Sequence, residues 1–99
     1  MPDHVERDFE WDLSKSNQCF ARRGFDFEFA RRVFANHSYV EAFDERHSDG
    51  EARYIAIGIV DGVYISVVYT PRMTRKRLLS ARRSTKSEID EYAKAFGYE

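Results

Sequence analysis

Cysteine is almost missing from this chain. Cys19 stands alone, so neither an internal disulfide nor a cysteine zinc cluster can form, and a reducing cytoplasm is the expected compartment. Cys19 reads as a helix residue, because nothing in the surrounding sequence would lower its pKa toward thiolate reactivity. Apolar runs of the ~18 residues that a membrane-spanning helix needs are absent, so no contact with a membrane is expected. The opening segment MPDHVERDFEWD is acidic and has no apolar centre, so no secretory signal is expected. His4, His37 and His47 are scattered without ligand spacing, and neither a metal nor a cofactor is expected. There is no internal repeat, linker or low-complexity segment.

Charge is present, and it is unevenly placed. Residues 1–50 carry 7 Lys/Arg against 11 Asp/Glu, and residues 51–99 carry 9 against 6. The segment 72–86, RMTRKRLLSARRSTK, holds seven basic side chains and no acidic one, in a chain of net charge −1. Phosphate neutralisation by Lys and Arg dominates nucleic-acid binding, so this basic edge suits a polyanion. A solvated strand and turn would show the same run.

Ninety-nine residues make a single domain, 1–99. Eight Phe and six Tyr argue for a packed core and against disorder. Phe9-Glu10-Trp11 reads as a short strand. Asp12 then suits an N-cap, with Leu13 to Arg23 helical and Gly24 closing the helix. Asp26 caps a second helix over 27–35, with Phe27, Ala30, Val33 and Phe34 on one face. Neither helix is long enough to stand alone, so both need a sheet to lie on. A plausible edge strand spans 39–43, and His47-Ser48-Asp49-Gly50 reads as a turn. Asp61-Gly62 between the runs 53–60 and 63–70 is a strong hairpin signal. That turn sets Val60 opposite Val63, Ala56 opposite Val67, Tyr54 opposite Tyr69 and Arg53 opposite Thr70. Both hairpin faces are largely apolar, and Ala56 with Gly58 marks where a helix can approach closely. A last strand, 76–82, follows a turn at 71–74. Thr85-x-x-Glu88 is a capping box for a helix from Lys86 to Phe96, closed by Gly97. The expected fold is α+β, in the order β-α-α-β-β-β-α: an antiparallel sheet of about four strands with two N-terminal helices and one C-terminal helix.

Several blocks resemble a known family. Phe9-Glu10-Trp11-Asp12 with Lys15, then Arg23-Gly24-Phe25, is similar to the opening of the BrnT toxins. Asp44-x-x-His47-Ser48-x-Gly50-Glu51-x-Arg53 resembles that family's loop into its central hairpin. Ile57-Gly58, Val67-Val68-Tyr69-Thr70-x-Arg72, Leu79-Ser80-Ala81-Arg82-Arg83, Glu88 and Tyr92 follow in the same order. The resemblance covers residues 9–93. It implies a RelE-like fold and a ribonuclease toxin of a bacterial type II toxin–antitoxin system, stopping translation by cutting RNA. It also implies a BrnA-like DNA-binding antitoxin as partner in a hetero-oligomer, room for a toxin dimer, and contact with operator DNA only through the antitoxin. The chain departs from the pattern at Cys19, where the family often has Asn, and at Arg23, where it often has His. Arg23 keeps a positive charge without a titratable group, so no acid–base role carries over to that position.

Metal-free RNA cleavage requires a base for the 2′-OH, cations for the charge growing on the phosphate, and an acid for the leaving 5′-oxygen. Arg53, Arg72, Arg82 and Arg83 are the candidate cations, since guanidinium forks match phosphate oxygens. Arg82 and Arg83 are neighbours on one strand and must face opposite ways. Arg53 could equally pair with Glu51 or Glu88. Candidate bases are Glu51, His47 and Glu88. His47 has the right unperturbed pKa range, and it also fits an ordinary turn residue. RNA contacts are expected from Lys15, Arg23, Thr70, Arg75, Lys76, Arg77, Arg83 and Tyr92, although the helix stripe of Tyr92 suits packing better. Two other classes fit the charge pattern: a non-catalytic nucleic-acid binder, and a protein-interaction module.

Overall fold

The computed structural model describes residues 2–45 and 50–97. Its elements are β1 (Asp3–Val5), β2 (Phe9–Asp12), α1 (Leu13–Arg23), α2 (Phe27–Ala30), a 3-10 helix (Arg31–Phe34), β3 (Val40–Phe43), β4 (Tyr54–Val60), β5 (Val63–Arg72), β6 (Arg75–Arg83) and α3 (Lys86–Phe96). The fold is α+β, but the sheet is not the four-stranded antiparallel one expected. It has six strands in the order β1-β2-β6-β5-β4-β3, and β2 runs parallel to β6. The three-residue β1 is too short to show an alternation, and it exists by folding back on β2. The parallel pairing joins Trp11 to Leu78, a long-range contact that no local pattern discloses.

The local signals behave as their chemistry requires. The Asp12 side chain accepts from the Lys15 amide at 3.1 Å and opens α1, and Gly24 closes it at φ +83. The Asp26 side chain accepts from the Phe29 amide at 3.0 Å. The second helix is shorter than expected: α2 ends at Ala30 and continues as the 3-10 helix. That tighter winding eclipses residues three apart, which sets Val33 below Ala30 and against the sheet. Phe27, Ala30, Val33 and Phe34 are all buried. Asp61 and Gly62 both adopt positive φ, 49° and 80°, as a type I′ turn demands. The hairpin register runs from Val60↔Val63 to Tyr54↔Tyr69, as expected. The sheet ladder stops there, and Arg53 lies just outside it with its carbonyl bonded to the Asp44 amide at 2.8 Å.

The core lies between one sheet face and the helical pair. Trp11, Ala56, Ile65, Val67 and Leu78 of the sheet meet Cys19, Phe27, Ala30 and Val33. Gly58 is where the 3-10 helix touches the hairpin: a Cβ there would stand 3.0 Å from Val33 Cγ1 and 3.4 Å from the Val33 carbonyl oxygen. On the other face, α3 is the only helix among the described residues. Its capping box is complete, with Thr85 and Glu88 each bonding the other's backbone. Tyr92 of α3 packs edge-on against Tyr64, and its hydroxyl donates to the Ser38 carbonyl at 3.4 Å. α3 therefore covers the Tyr64 end of this second face, over β4 and β3, and leaves the Arg72 end uncovered by any helix among the described residues.

One irregularity positions the site. Between Val68↔Ser80 and Tyr69↔Leu78 the register shifts, so Leu79 is the extra residue of a β-bulge. Side chains alternate along a strand, and the bulge resets that alternation. Arg82 and Ser80 lie opposite Ser66 and Val68, while Arg77 and Arg75 lie opposite Thr70 and Arg72. All four therefore share the α3 face. Lys76 and Arg83 fall on the other.

Candidate active site

The basic segment 72–86 is thus not a single strip. Most of its members on the α3 face are also already paired. Arg77 donates to Asp3 at 2.9 Å and to Glu10 at 2.8 Å, and it is only 16% exposed. The Asp3 hydrogen bond, foremost, holds the Arg77 guanidinium well above its ordinary pKa. Arg77 ties the edge strand β1 and its neighbour β2 to β6. Arg75 Nε donates to the Glu6 carbonyl at 2.7 Å. Lys76, on the core side, sits over the Phe34 ring at 5.3 Å and the Tyr69 ring at 5.6 Å. Tyr69 in turn donates its hydroxyl to Glu41, and burial first, then that bond, pushes its pKa far up.

Arg82 forms a two-pronged bond with Glu88, at 2.6 Å and 2.9 Å. Glu88 Oε1 also accepts from Ser66 Oγ at 3.0 Å and from the Thr85 amide at 2.8 Å, and Ser66 bonds Ser84 at 2.7 Å. The Arg82 hydrogen bonds, with those from Thr85 and Ser66, hold the Glu88 carboxyl down at about 2 against the opposing effect of burial. A carboxylate that holds its proton so weakly is a poor base near neutral pH. The structure thus removes Glu88 from the candidate bases and makes it the anchor of Arg82.

This anchor has a measurable consequence. A depressed folded-state pKa gives stability that is present above the unfolded value, near 4.5, and lost as pH falls toward 2. Glu88→Gln is expected to cost roughly 2–3 kcal/mol near neutral pH, with the gap from wild type closing between pH ~4.5 and ~2. Urea unfolding of both proteins across that range measures it.

At the other end of the same face, Glu51 pairs with Arg72 at 3.3 Å. Both are partly exposed, at 38% and 48%. Thr70 is 1% exposed, and its hydroxyl donates to the Ala52 carbonyl at 2.6 Å, pinning the segment that carries Glu51 and Arg53. The strand alternation of β4 aims Arg53 at this face too. Glu51 and Glu88 thus pair with Arg72 and Arg82. His47 lies outside the described residues.

From the sequence, Arg53, Arg72 and Arg82 are candidate cations, and Glu51 a candidate base, for one reacting phosphate. The ladder separates them. Arg82 faces Ser66, and Arg72 lies six residues further along β5, roughly 20 Å away at ~3.3 Å per residue. One group, not both, can surround a reacting phosphate. Tyr92 is corrected as well: it is 4% exposed and packs between Tyr64 and Phe96, so it offers no ring to a nucleobase.

A separate group of cations stands on the helical side. Lys15, Arg22 and Arg23 of α1 are exposed and face the β6 segment Leu79, Ser80 and Ala81 across an open groove. Arg83 joins Arg22 and Arg23 at its end. Cys19 lies at the groove floor, where its thiol donates to the Ala81 carbonyl at 3.4 Å and burial pushes its pKa up. It is a packing residue, as its neighbours in the sequence suggested. Arg22 was not singled out from the sequence; its place beside Arg23 in an exposed helix turn was the available signal.

A small α+β domain with cations on both sides of one sheet, and a carboxylate among them, carries the charges that contact with a phosphate polymer requires. A family model described as "Ribonuclease toxin, BrnT, of type II toxin-antitoxin system" matches residues 11–88. No curated protein matches the chain. The chain belongs to the BrnT family of ribonuclease toxins.

Proposed function

We propose that this protein cuts RNA internally, without a metal ion, at the open end of the α3 face. The observation that carries this reading is the Glu51–Arg72 pair, held beside Thr70 and Arg53 where no described helix covers the sheet. In this mechanism Glu51 takes the proton of the 2′-OH. The freed oxygen attacks the adjacent phosphorus, and the bond to the 5′-oxygen breaks as that oxygen takes up a proton. The products are a 2′,3′-cyclic phosphate and a 5′-hydroxyl. Arg72 and Arg53 face the growing phosphate charge, where fixed donors act most strongly on the transition state. Arg82, far along the strand, holds the chain of the substrate and not its reacting bond.

The same reading makes the fold RelE-like and places the protein in the cytoplasm, where cutting RNA stops translation. A BrnA-like DNA-binding antitoxin covers the open face in a hetero-oligomer, and only that complex meets operator DNA.

The test is purified protein with RNA in EDTA, followed by chemical identification of the new ends. Cyclic phosphates and 5′-hydroxyls are expected, with Glu51→Gln slower by about 10²–10⁴-fold, the usual contribution of a general base. Ends bearing 3′-hydroxyl and 5′-phosphate, with cleavage lost in EDTA, would contradict the mechanism.

A further inference from the structure

The groove between α1 and β6 has no part in the chemistry above, and cations line it. Among the described residues, no carboxylate lies in ion-pair range of Lys15, Arg22, Arg23 or Arg83, whereas Arg72 and Arg82 each have one and Arg77 has two. The groove is also continuous with the α3 face. β2 pairs with β6 only at Lys76, Arg77 and Leu78, because the chain then turns into α1. Beyond Leu78 that edge of β6 carries no strand among the described residues, and α1 lies beside it through Cys19 and Ala81. Ser80 is exposed on the α3 face beside Arg82, and its segment also lines the groove. Arg82 and Arg83, consecutive residues, present one guanidinium to each side of the sheet.

We infer that this groove is a second RNA-binding subsite, which takes the backbone of a single-stranded segment after it passes round the free edge of β6. The inference rests on the proposed function for the identity of the polymer. A strand that turns from one sheet face to the other has to bend sharply. Single-stranded RNA can do so, and a duplex, stiff over roughly 150 base pairs in the case of DNA, cannot. Between α1 and Leu79–Ala81 the groove offers exposed cations and no exposed ring, so it contacts phosphates and is indifferent to base sequence.

The test reads binding, not cleavage, with 2′-O-methyl RNA that cannot be cut. Oligonucleotides of about 4 and about 12 nucleotides bracket a short site and an extended one. The double variant Arg22→Ala/Arg23→Ala alters only exposed side chains, and circular dichroism checks its fold. Each phosphate contact adds about 0.7 to the slope of log affinity against log salt for single strands, so the variant is expected to lose about 1.4 of slope on the longer RNA. Its affinity for the longer RNA should fall at least about tenfold at low salt, and much less for the shorter one. The pair Lys15→Ala/Arg83→Ala should behave alike. Wild-type slope and affinity on the longer RNA would overturn the inference. So would equal losses on both lengths, which would merge the groove with the cleavage site. Intact RNA binding with lost binding of a poly-glutamate peptide would overturn it in favour of an acidic protein partner. Wild-type protein that cuts RNA while the variant keeps its slope defeats this inference alone; patch-dependent binding without cleavage defeats only the nuclease reading.

Discussion

Arg72→Ala is expected to lower kcat/KM for RNA cleavage by about 10²–10³-fold, the usual cost of removing one fixed donor to a developing oxyanion. Arg72 is half exposed, and the pair it forms with Glu51 is a surface pair worth at most ~1 kcal/mol of stability. The loss should therefore appear in activity, with the unfolding midpoint almost unmoved. For Arg82→Ala the larger loss should be in stability, with activity reduced only through a weaker hold on the substrate chain. Removal of the guanidinium strips Glu88, 16% exposed, of its main partner and leaves a largely buried carboxylate undercompensated, which costs several kcal/mol in comparable settings, on the order of 3. Steady-state cleavage and urea unfolding of both variants separate the two roles. An Arg82→Ala protein that is as stable as wild type but inactive would move the reacting phosphate to the Glu88 end.

Gly58→Val is expected to destabilise the fold by about 3 kcal/mol, at the upper end for overpacking a close contact. The position leaves no room, since even a Cβ would stand 3.0 Å from Val33 Cγ1 and 3.4 Å from a backbone oxygen of the 3-10 helix. For a chain of this size the melting temperature should drop by roughly 12–24 °C, measured by thermal unfolding. A smaller residue at Val33, such as Ala, should recover part of the loss in the double variant, because the two positions share one contact. A Gly58→Val protein as stable as wild type would show that the 3-10 helix can lift away from the sheet.

The elements readable in the sequence were those fixed by short-range chemistry. Asp12, Asp26 and Thr85 cap helices through side chains that reach a backbone amide three residues on, and Asp61-Gly62 sets the hairpin register through its own φ angles. Ala56 and Gly58 announced the close helix approach by their size. What stayed hidden depends on distant partners. The three-residue β1 has no pattern of its own, and the parallel β2–β6 pairing joins the two halves of the chain. For the site, the residue types were legible and their grouping was not. Alternation alone would set Arg77 and Arg82 on opposite faces; the bulge at Leu79 brings them to the same one. The seven basic residues of 72–86 looked like one surface because the carboxylates that pair with Arg77 and Arg72, namely Asp3, Glu10 and Glu51, come from other parts of the chain.

RNA is proposed to lie on the open end of the α3 face. The most direct measurement is an NMR titration of the isotope-labelled protein with a 2′-O-methyl oligonucleotide, read residue by residue. Shifts are expected at Glu51, Ile55, Val68, Thr70, Arg72 and Ser80, and not in the cleft formed by Phe9, Arg31, Ala35 and Thr74. Shifts confined to that cleft, with the Arg72 end of the sheet silent, would contradict the account.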